Sequence, residues 1–267
     1  MSRLLIVHGT AGPVRTDASV RLEWVTSMLD GLALAGWPAP AFDADRDITL
    51  VNLDDAPTPE PAPDPVWEAA VLDRCWRAAR FDAAPPSGRT GTVADRLAWS
   101  RYFTGLPAGD LVAALRQVRS HVAGDDLGRR AADRVRAAIV PRTRAVIGHC
   151  LGAVAALSAV AALDPGTAPT LVTIGAPLDL MPVGRPPARW IDIADVHDTL
   201  VHAGTSGGVP AAGAAQRVRM DCDPRLRCAR NYLAAPEFGE VLGALLAPPR
   251  SPHRDPPLMS GTRHRPG

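Results

Sequence analysis

Lysine is absent from the 267-residue chain, so its 29 lysine-or-arginine positions are all arginine. The chain has 28 acidic residues, which nearly balance these arginines. The formal net charge of +1 predicts no general attraction to polyanions, so nucleic acid is not an expected partner. Since alanine, proline and glycine are abundant, the missing lysine indicates GC-rich coding rather than a function. Composition therefore excludes charge-driven binding but selects no activity.

Cysteine is also scarce. The four cysteines are irregularly spaced and form no C-x-x-C pair: Cys75, Cys150, Cys222 and Cys228. This pattern argues against a structural zinc site and against a disulfide framework. We therefore expect reduced thiols, no bound metal and no cofactor.

The chain has no long apolar segment. Its longest run, Leu151 to Leu163, is well short of the ~20 residues needed to cross a bilayer. The opening run Arg3–Val7 is typical of a β-strand rather than of a secretory leader. We expect no membrane span and a cytoplasmic location.

Residues 144–157 combine an apolar, β-branched run, a short glycine turn and an alanine-rich helical pattern. The turn reads Gly148-His149-Cys150-Leu151-Gly152, which has the layout of the G-x-S-x-G nucleophile elbow with cysteine in place of serine. Small neighbours allow the strained turn, and a helix beginning near Leu151 would aim its positive dipole end at the sulfur. The alternative is an ordinary strand-to-helix turn with a buried cysteine.

Strand and helix patterns alternate along the chain, which predicts an α/β fold with a mostly parallel sheet and helices on both faces. Besides the run before Cys150, strands are predicted at Leu4–Val7, Asp47–Leu53, Thr170–Ile174, Trp190–Ile193 and Arg217–Met220. Helices are predicted at Asp17–Leu34, Val66–Phe81, Val93–Phe103, Asp110–Val122, Asp126–Ile139, after Cys150, and at Glu237–Leu246.

This order predicts one domain over residues 1–247, with a helical insertion at about 56–140 before the elbow strand. Residues 248–267 lack an apolar period and are predicted to be a disordered tail. His8, Cys150, Gly175 and Asp198 all fall just past strand ends. Ligands of parallel sheets bind at that edge, so their shared placement predicts a site there.

Four segments together resemble small bacterial α/β-hydrolases of the serine esterase and lipase type, over most of the chain. They are Val7-His8-Gly9 with Glu23-Trp24 downstream, Gly148–Gly152, Leu171–Leu178 and Trp190–Asp198. The resemblance implies that the His8-Gly9 turn supplies an oxyanion donor, the N–H of Thr10 or Ala11, beside the N–H of Leu151.

The resemblance also implies an acid followed by a histidine after the nucleophile. The acid maps to Asp198, with Asp195 as the second choice. The family's histidine lies shortly before a Tyr-Leu pair, and Cys228 stands about there in this chain. His202 is the first candidate for a substitute base, followed by His197 and His149. A disulfide between Cys150 and Cys228 is not expected.

Two functions follow as expectations. One is an acyl hydrolase or acyltransferase that attacks a small-molecule ester or thioester through Cys150, because a thiol depends less on a base than a hydroxyl does. The other is a catalytically degenerate hydrolase fold that binds a ligand or a protein partner. A dinucleotide-binding domain is disfavoured, since Gly9-Thr-Ala-Gly12 lacks the G-x-G-x-x-G spacing.

Overall fold

A computed structural model describes ten stretches of the chain: residues 3–10, 14–38, 43–55, 60–79, 91–98, 107–181, 185–196, 198, 216–221 and 228–247. Within them lies a six-stranded sheet in the order β2-β1-β3-β4-β5-β6, every neighbouring pair parallel. Its strands are β1 (Leu4–Gly9), β2 (Ile48–Asn52), β3 (Ala145–Cys150), β4 (Thr170–Ile174), β5 (Trp190–Asp195) and β6 (Gln216–Met220). The predicted α/β architecture is confirmed.

Helices cover both faces of this sheet, as the continuous apolar strands require. They are α1 (Asp17–Leu34), α2 (Ala44–Asp47), α3 (Pro65–Ala79), α4 (Val93–Ala98), α5 (Ala108–Val122), α6 (Asp126–Ala138), α7 (Leu151–Ala161), α8 (Ala229–Leu233) and α9 (Pro236–Leu246). One core packs α1, α8 and α9 against alternate strand residues such as Leu4, Ile6 and Ile147. The other packs α6 and α7 against the residues between them, such as Leu5 and Val146.

Helix α1 begins and ends at the predicted residues for local reasons. The Thr16 side chain caps its start by accepting a hydrogen bond from the Ser19 amide. Just past its end, Gly36 adopts a φ of 74°, which favours glycine and stops the helix. The fully buried Trp24 and Met28 then hold the helix on the sheet.

The helical insertion lies between β2 and β3, as predicted. Helices α3, α4 and α5 share their own apolar cluster, which includes Val71, Leu97 and Leu115. A second cluster joins the insertion to the start of α7, because Val118 and Val122 of α5 pack there with Leu151 and Val154. The insertion is therefore anchored beside the turn that carries Cys150.

Several element boundaries differ from the predictions. The second strand begins at Ile48, because Asp47 ends α2 and its buried carboxylate accepts a hydrogen bond from the Asp43 amide. Strand β5 continues to Asp195, two residues beyond its apolar part, since β6 pairs with it to that point. The predicted tail lies outside the described residues. None of the described helices has the length and apolarity that a membrane span needs.

Helices α1 and α9 approach so closely that their contact depends on glycine. A Cβ on Gly239 would collide with the Gly31 backbone, and a Cβ on Gly31 would collide with the Leu233 carbonyl oxygen. Two helices can come this near only where neither carries a side chain at the crossing.

We predict that Gly239→Ala lowers the free energy of unfolding by about 1–3 kcal/mol, the usual range for overpacking. Gly109→Ala is the matched control, because a Cβ there meets nothing within 4 Å. In α5 alanine is also the better helix former, so the control should be neutral or slightly stabilised. Urea denaturation of the three proteins measures both effects, and equal midpoints would contradict the close crossing.

Candidate functional site at the strand-to-helix turn

Cys150 has an unusual backbone conformation. It ends β3 and precedes α7 with φ 51° and ψ −119°. Among the described residues it is the only one other than glycine with a positive φ. L-residues avoid this region unless the surrounding structure holds them there, and such strain is concentrated at functional sites.

Two glycines make this turn possible. A Cβ on Gly148 would lie 2.6 Å from the Ala153 Cα atom, and one on Gly152 would collide with the Val7 carbonyl oxygen. The backbones of β3, α7 and β1 are therefore in direct contact around the turn. The small residues inferred from the G-x-C-x-G spacing are sterically required.

The Cys150 thiol is half-buried at the start of α7. The cluster it packs against contains Leu151 and Val154 of α7, Val118 and Val122 of α5, and Trp67, Leu180 and Met181 around them. The first turn of α7 carries no acidic residue that would offset the positive end of its dipole. The thiol therefore lies at the positive end of the α7 dipole, among apolar side chains.

The turn after β1 is hydrogen-bonded to Asp54, an acidic residue just past β2 that the sequence analysis missed. Thr10 donates its backbone N–H to Asp54, at 3.0 Å from Oδ1 and 2.9 Å from Oδ2, and its hydroxyl to Oδ2 at 2.7 Å. His8 is 2% exposed, and its Nε2 lies 3.3 Å from the same Oδ2. We expected the Thr10 N–H to donate a hydrogen bond to an oxyanion, but it already donates to the Asp54 carboxylate. Ala11, the other expected donor, lies outside the described residues.

The sequence position of Asp54 could have identified it as a site residue. It follows the second strand directly, at the same sheet edge as His8 and Cys150. The strand order reverses between β1 and β3, and this is where open α/β sheets bind their ligands. Asp54 should therefore have been counted among the edge residues.

His8 and His149 face away from Cys150. They are register partners on β1 and β3, with ring centroids 6.2 Å apart and planes at 12°. Trp24 lies at 6.1 Å from the His8 ring, and Tyr232 lies at 6.1 Å from the His149 ring. Because successive strand residues point to opposite faces, His149 lies with the α1 side of the sheet rather than with the thiol. Its position argues against a role as the substitute base.

Tyr232 of α8 connects the predicted acid to the sheet. Its hydroxyl accepts a hydrogen bond from the Asp195 N–H at 3.3 Å and donates to Asp198 Oδ2 at 3.4 Å. Gly175, at φ 54°, makes room for the ring, since a Cβ there would lie 2.9 Å from Tyr232 Cε2. Asp198 is half-buried, whereas Asp195, the second choice, is buried at the end of β5.

Cys228 precedes α8, four residues before Tyr232, and is half-buried. None of Cys75, Cys150 and Cys228 is part of a disulfide. His202 and His197, the other candidate bases, lie outside the described residues. Nowhere in the described ranges do three or more His, Cys, Asp or Glu residues gather as a metal site.

A second residue missed by the sequence analysis is His121, near the end of α5. It is 8% exposed, and its Nδ1 lies 2.9 Å from the Gln117 carbonyl oxygen. Because a carbonyl only accepts, Nδ1 carries the proton and Nε2 has the lone pair. Burial lowers the pKa of His121, while the Gln117 hydrogen bond and the charges of Asp125 and Asp54 oppose that shift. The imidazole is therefore neutral near pH 7.

Comparison with known proteins assigns neither a family nor a function to this chain. The chain matches no protein-family model, and a search of curated proteins finds no relative.

The strain at Cys150 has a measurable consequence. Cys150→Gly and Cys150→Ala both remove the thiol, but only glycine adopts a positive φ without cost. Relief of strain is worth about 1–3 kcal/mol, against about 0.5–1 kcal/mol for the extra freedom of glycine in the unfolded chain. We expect the glycine variant to be about 1 kcal/mol more stable in chemical denaturation. An alanine variant of equal or greater stability would contradict the strained conformation.

His121 also predicts a pH dependence of stability. Its folded-state pKa lies below the ordinary value of 6.5, so the unfolded chain binds more protons in that window. Stability should rise as the pH rises from the lowered pKa through 6.5, and it should be lost on acidification. His121→Gln keeps a donor for the Gln117 carbonyl but has no titratable group. Denaturation at pH values across this window should give a smaller slope for the variant, and identical slopes would contradict the buried neutral imidazole.

Proposed function

We propose that the protein is a thiol-dependent acyl hydrolase or acyltransferase, related in design to α/β-hydrolases of the esterase and lipase type. The observation that carries this proposal is the conformation of Cys150, a strained residue at the start of α7 beside the strand-order reversal. Strain of this kind persists only where the structure enforces it, and here Gly148 and Gly152 make room for it. An ordinary structural cysteine needs none of these features.

The chemistry follows from the position of the sulfur. A helix N-terminus favours the thiolate, which attacks the carbonyl carbon of an ester or thioester. The N–H groups at the start of α7, that of Leu151 first, face the developing oxyanion. The apolar side chains around Cys150 suit the hydrocarbon part of an acyl group. The substrate class is therefore a small acyl ester or thioester, with no metal or cofactor in the reaction.

A second candidate function is binding without catalysis, and two observations favour it. Asp54 accepts the Thr10 N–H that an active hydrolase would offer to an oxyanion, and Cys228 stands where the resemblance implies a histidine. The insertion also has an open cleft of about 510 Å³ between Glu60–Ala62 and the start of α6. Arg119, Arg129 and Arg130 line that cleft, and a ligand or protein partner could contact them there.

The two candidates are separated by an acylation experiment. The protein is treated with a β-lactone or an activated thioester, and peptide mass spectrometry locates and times the adduct. We expect rapid labelling at Cys150, slow labelling at the half-buried Cys228 and none at Cys75, which is 1% exposed. Release of the acyl group on further incubation, and loss of labelling in Cys150→Ala, would support a working thiol enzyme.

The control restores the residues implied by the resemblance, through Cys150→Ser combined with Cys228→His. Esterase activity in this double variant only, with no selective labelling of the wild-type thiol, would overturn the enzyme proposal and favour binding. The Cys150→Ser change alone should be less active than the wild type, because a hydroxyl needs a base far more than a thiol does.

A further inference from the structure

The proposed reaction has a nucleophile but no assigned base. Deacylation requires activated water, and a thiolate alone does not provide it. His149 lies with the α1 side of the sheet, and Cys228 cannot replace an imidazole. Among the described histidines, His121 is the one carried by the helix that packs over the turn.

The position of His121 follows from its neighbours on α5. Val118 precedes it by three residues and Val122 follows it directly, and both pack with Leu151 and Val154 in the cluster that Cys150 contacts. Residues three apart share a helix face, so His121 and Val118 point to the same side. Asp54, which acts electrostatically on His121, is bound to Thr10 at the carboxyl edge of the sheet. His121 thus lies on the helix that packs against the start of α7, and it is close enough to Asp54 for that carboxylate to act on it electrostatically.

Its protonation state suits a general base. The Gln117 carbonyl fixes the proton on Nδ1, which leaves Nε2 able to accept one. The Asp54 and Asp125 carboxylates are the charged groups that would stabilise the imidazolium formed in this way. A histidine that is neutral before the reaction and has carboxylates near it has what a base needs.

We propose that His121 is the general base for Cys150, and that it replaces the histidine missing at Cys228. This inference rests on the proposed function. It moves the base from the segment before α8 to helix α5 of the helical insertion. Asp198, which accepts a hydrogen bond from Tyr232, is then a structural residue.

The reaction proceeds in two balanced steps. His121 Nε2 takes the Sγ–H proton as the thiolate bonds to the carbonyl carbon, and the C–O bond breaks while the leaving oxygen takes that proton. The products are an alcohol and a thioester on Cys150. Water then adds to the thioester and gives a proton to His121, the C–S bond breaks, and the sulfur recovers the proton. The net reaction is ester plus water to acid plus alcohol.

The test is His121→Gln in the full chain, with p-nitrophenyl acetate as the probe ester. Loss of a general base lowers turnover by roughly 100- to 10,000-fold, and we expect deacylation to fall more than acylation. The second readout is the pH profile of Cys150 alkylation by iodoacetamide, which a merely structural role would not change. In the wild type we expect its inflection well below the ordinary thiol pKa of about 8.5, and in the variant a return towards that value.

Two further variants sharpen the outcome. His253→Gln, in the predicted tail, is the matched control and should leave both readouts unchanged. His202→Gln tests the competing assignment, and a loss there with none in His121→Gln would overturn the role of His121. If Cys150→Ala abolishes turnover while His121→Gln does not, only the base assignment fails. If Cys150 is never acylated, the proposed function itself fails.

If His121→Gln does not fold, the wild-type protein still decides the question. A Cys150 alkylation profile that follows one ordinary thiol ionisation overturns the proposal. An inflection below neutral pH, lost after histidine-selective modification mapped to His121, supports it.

Discussion

The close approach of β1 and α7 fixes the rest of this site. Gly152 lies against the Val7 carbonyl, and a Cβ on Gly9 would come within 2.9 Å of the Gly152 nitrogen. The start of α7 is thereby held against the end of β1. The backbone must therefore turn from β3 into α7 at a single residue, Cys150. Because backbone contacts impose this geometry, the identity of the side chain at position 150 changes the chemistry without changing the turn.

Much of the fold could be predicted from local patterns. Helix α1 and strand β4 begin and end where they were expected, since capping residues and continuous apolar runs define them. The turn at Cys150 was also predictable, because glycines at two fixed spacings have few other uses between a strand and a helix. Boundaries were wrong where tertiary contacts outweigh the local pattern: the pairing of β6 extends β5 to Asp195, and the buried carboxylate of Asp47 closes α2.

The residues that the two proposals combine with Cys150 were harder to predict. Asp54 and His121 are separated from Cys150 by long stretches of chain, and no motif joins them to it. His121 was indistinguishable from a packing residue, because it lies on the apolar face of an amphipathic helix. A resemblance directs attention to the positions where a family keeps its catalytic groups. Where a chain departs from that pattern, as at Cys228, a substitute for the expected histidine can be sought only among residues that the three-dimensional structure brings together.

The crossing of α1 and α9 also affects how the chain reaches its structure. These helices are near the two ends of the described chain, yet they complete one apolar core with strands between them in sequence. Contacts between residues so distant in sequence form late, because the entropy of a long loop must be lost first. During synthesis, Trp24 and its neighbours on α1 therefore remain without their α9 partners until nearly the whole domain has emerged from the ribosome. The final core of the domain therefore forms only after α9 has been translated.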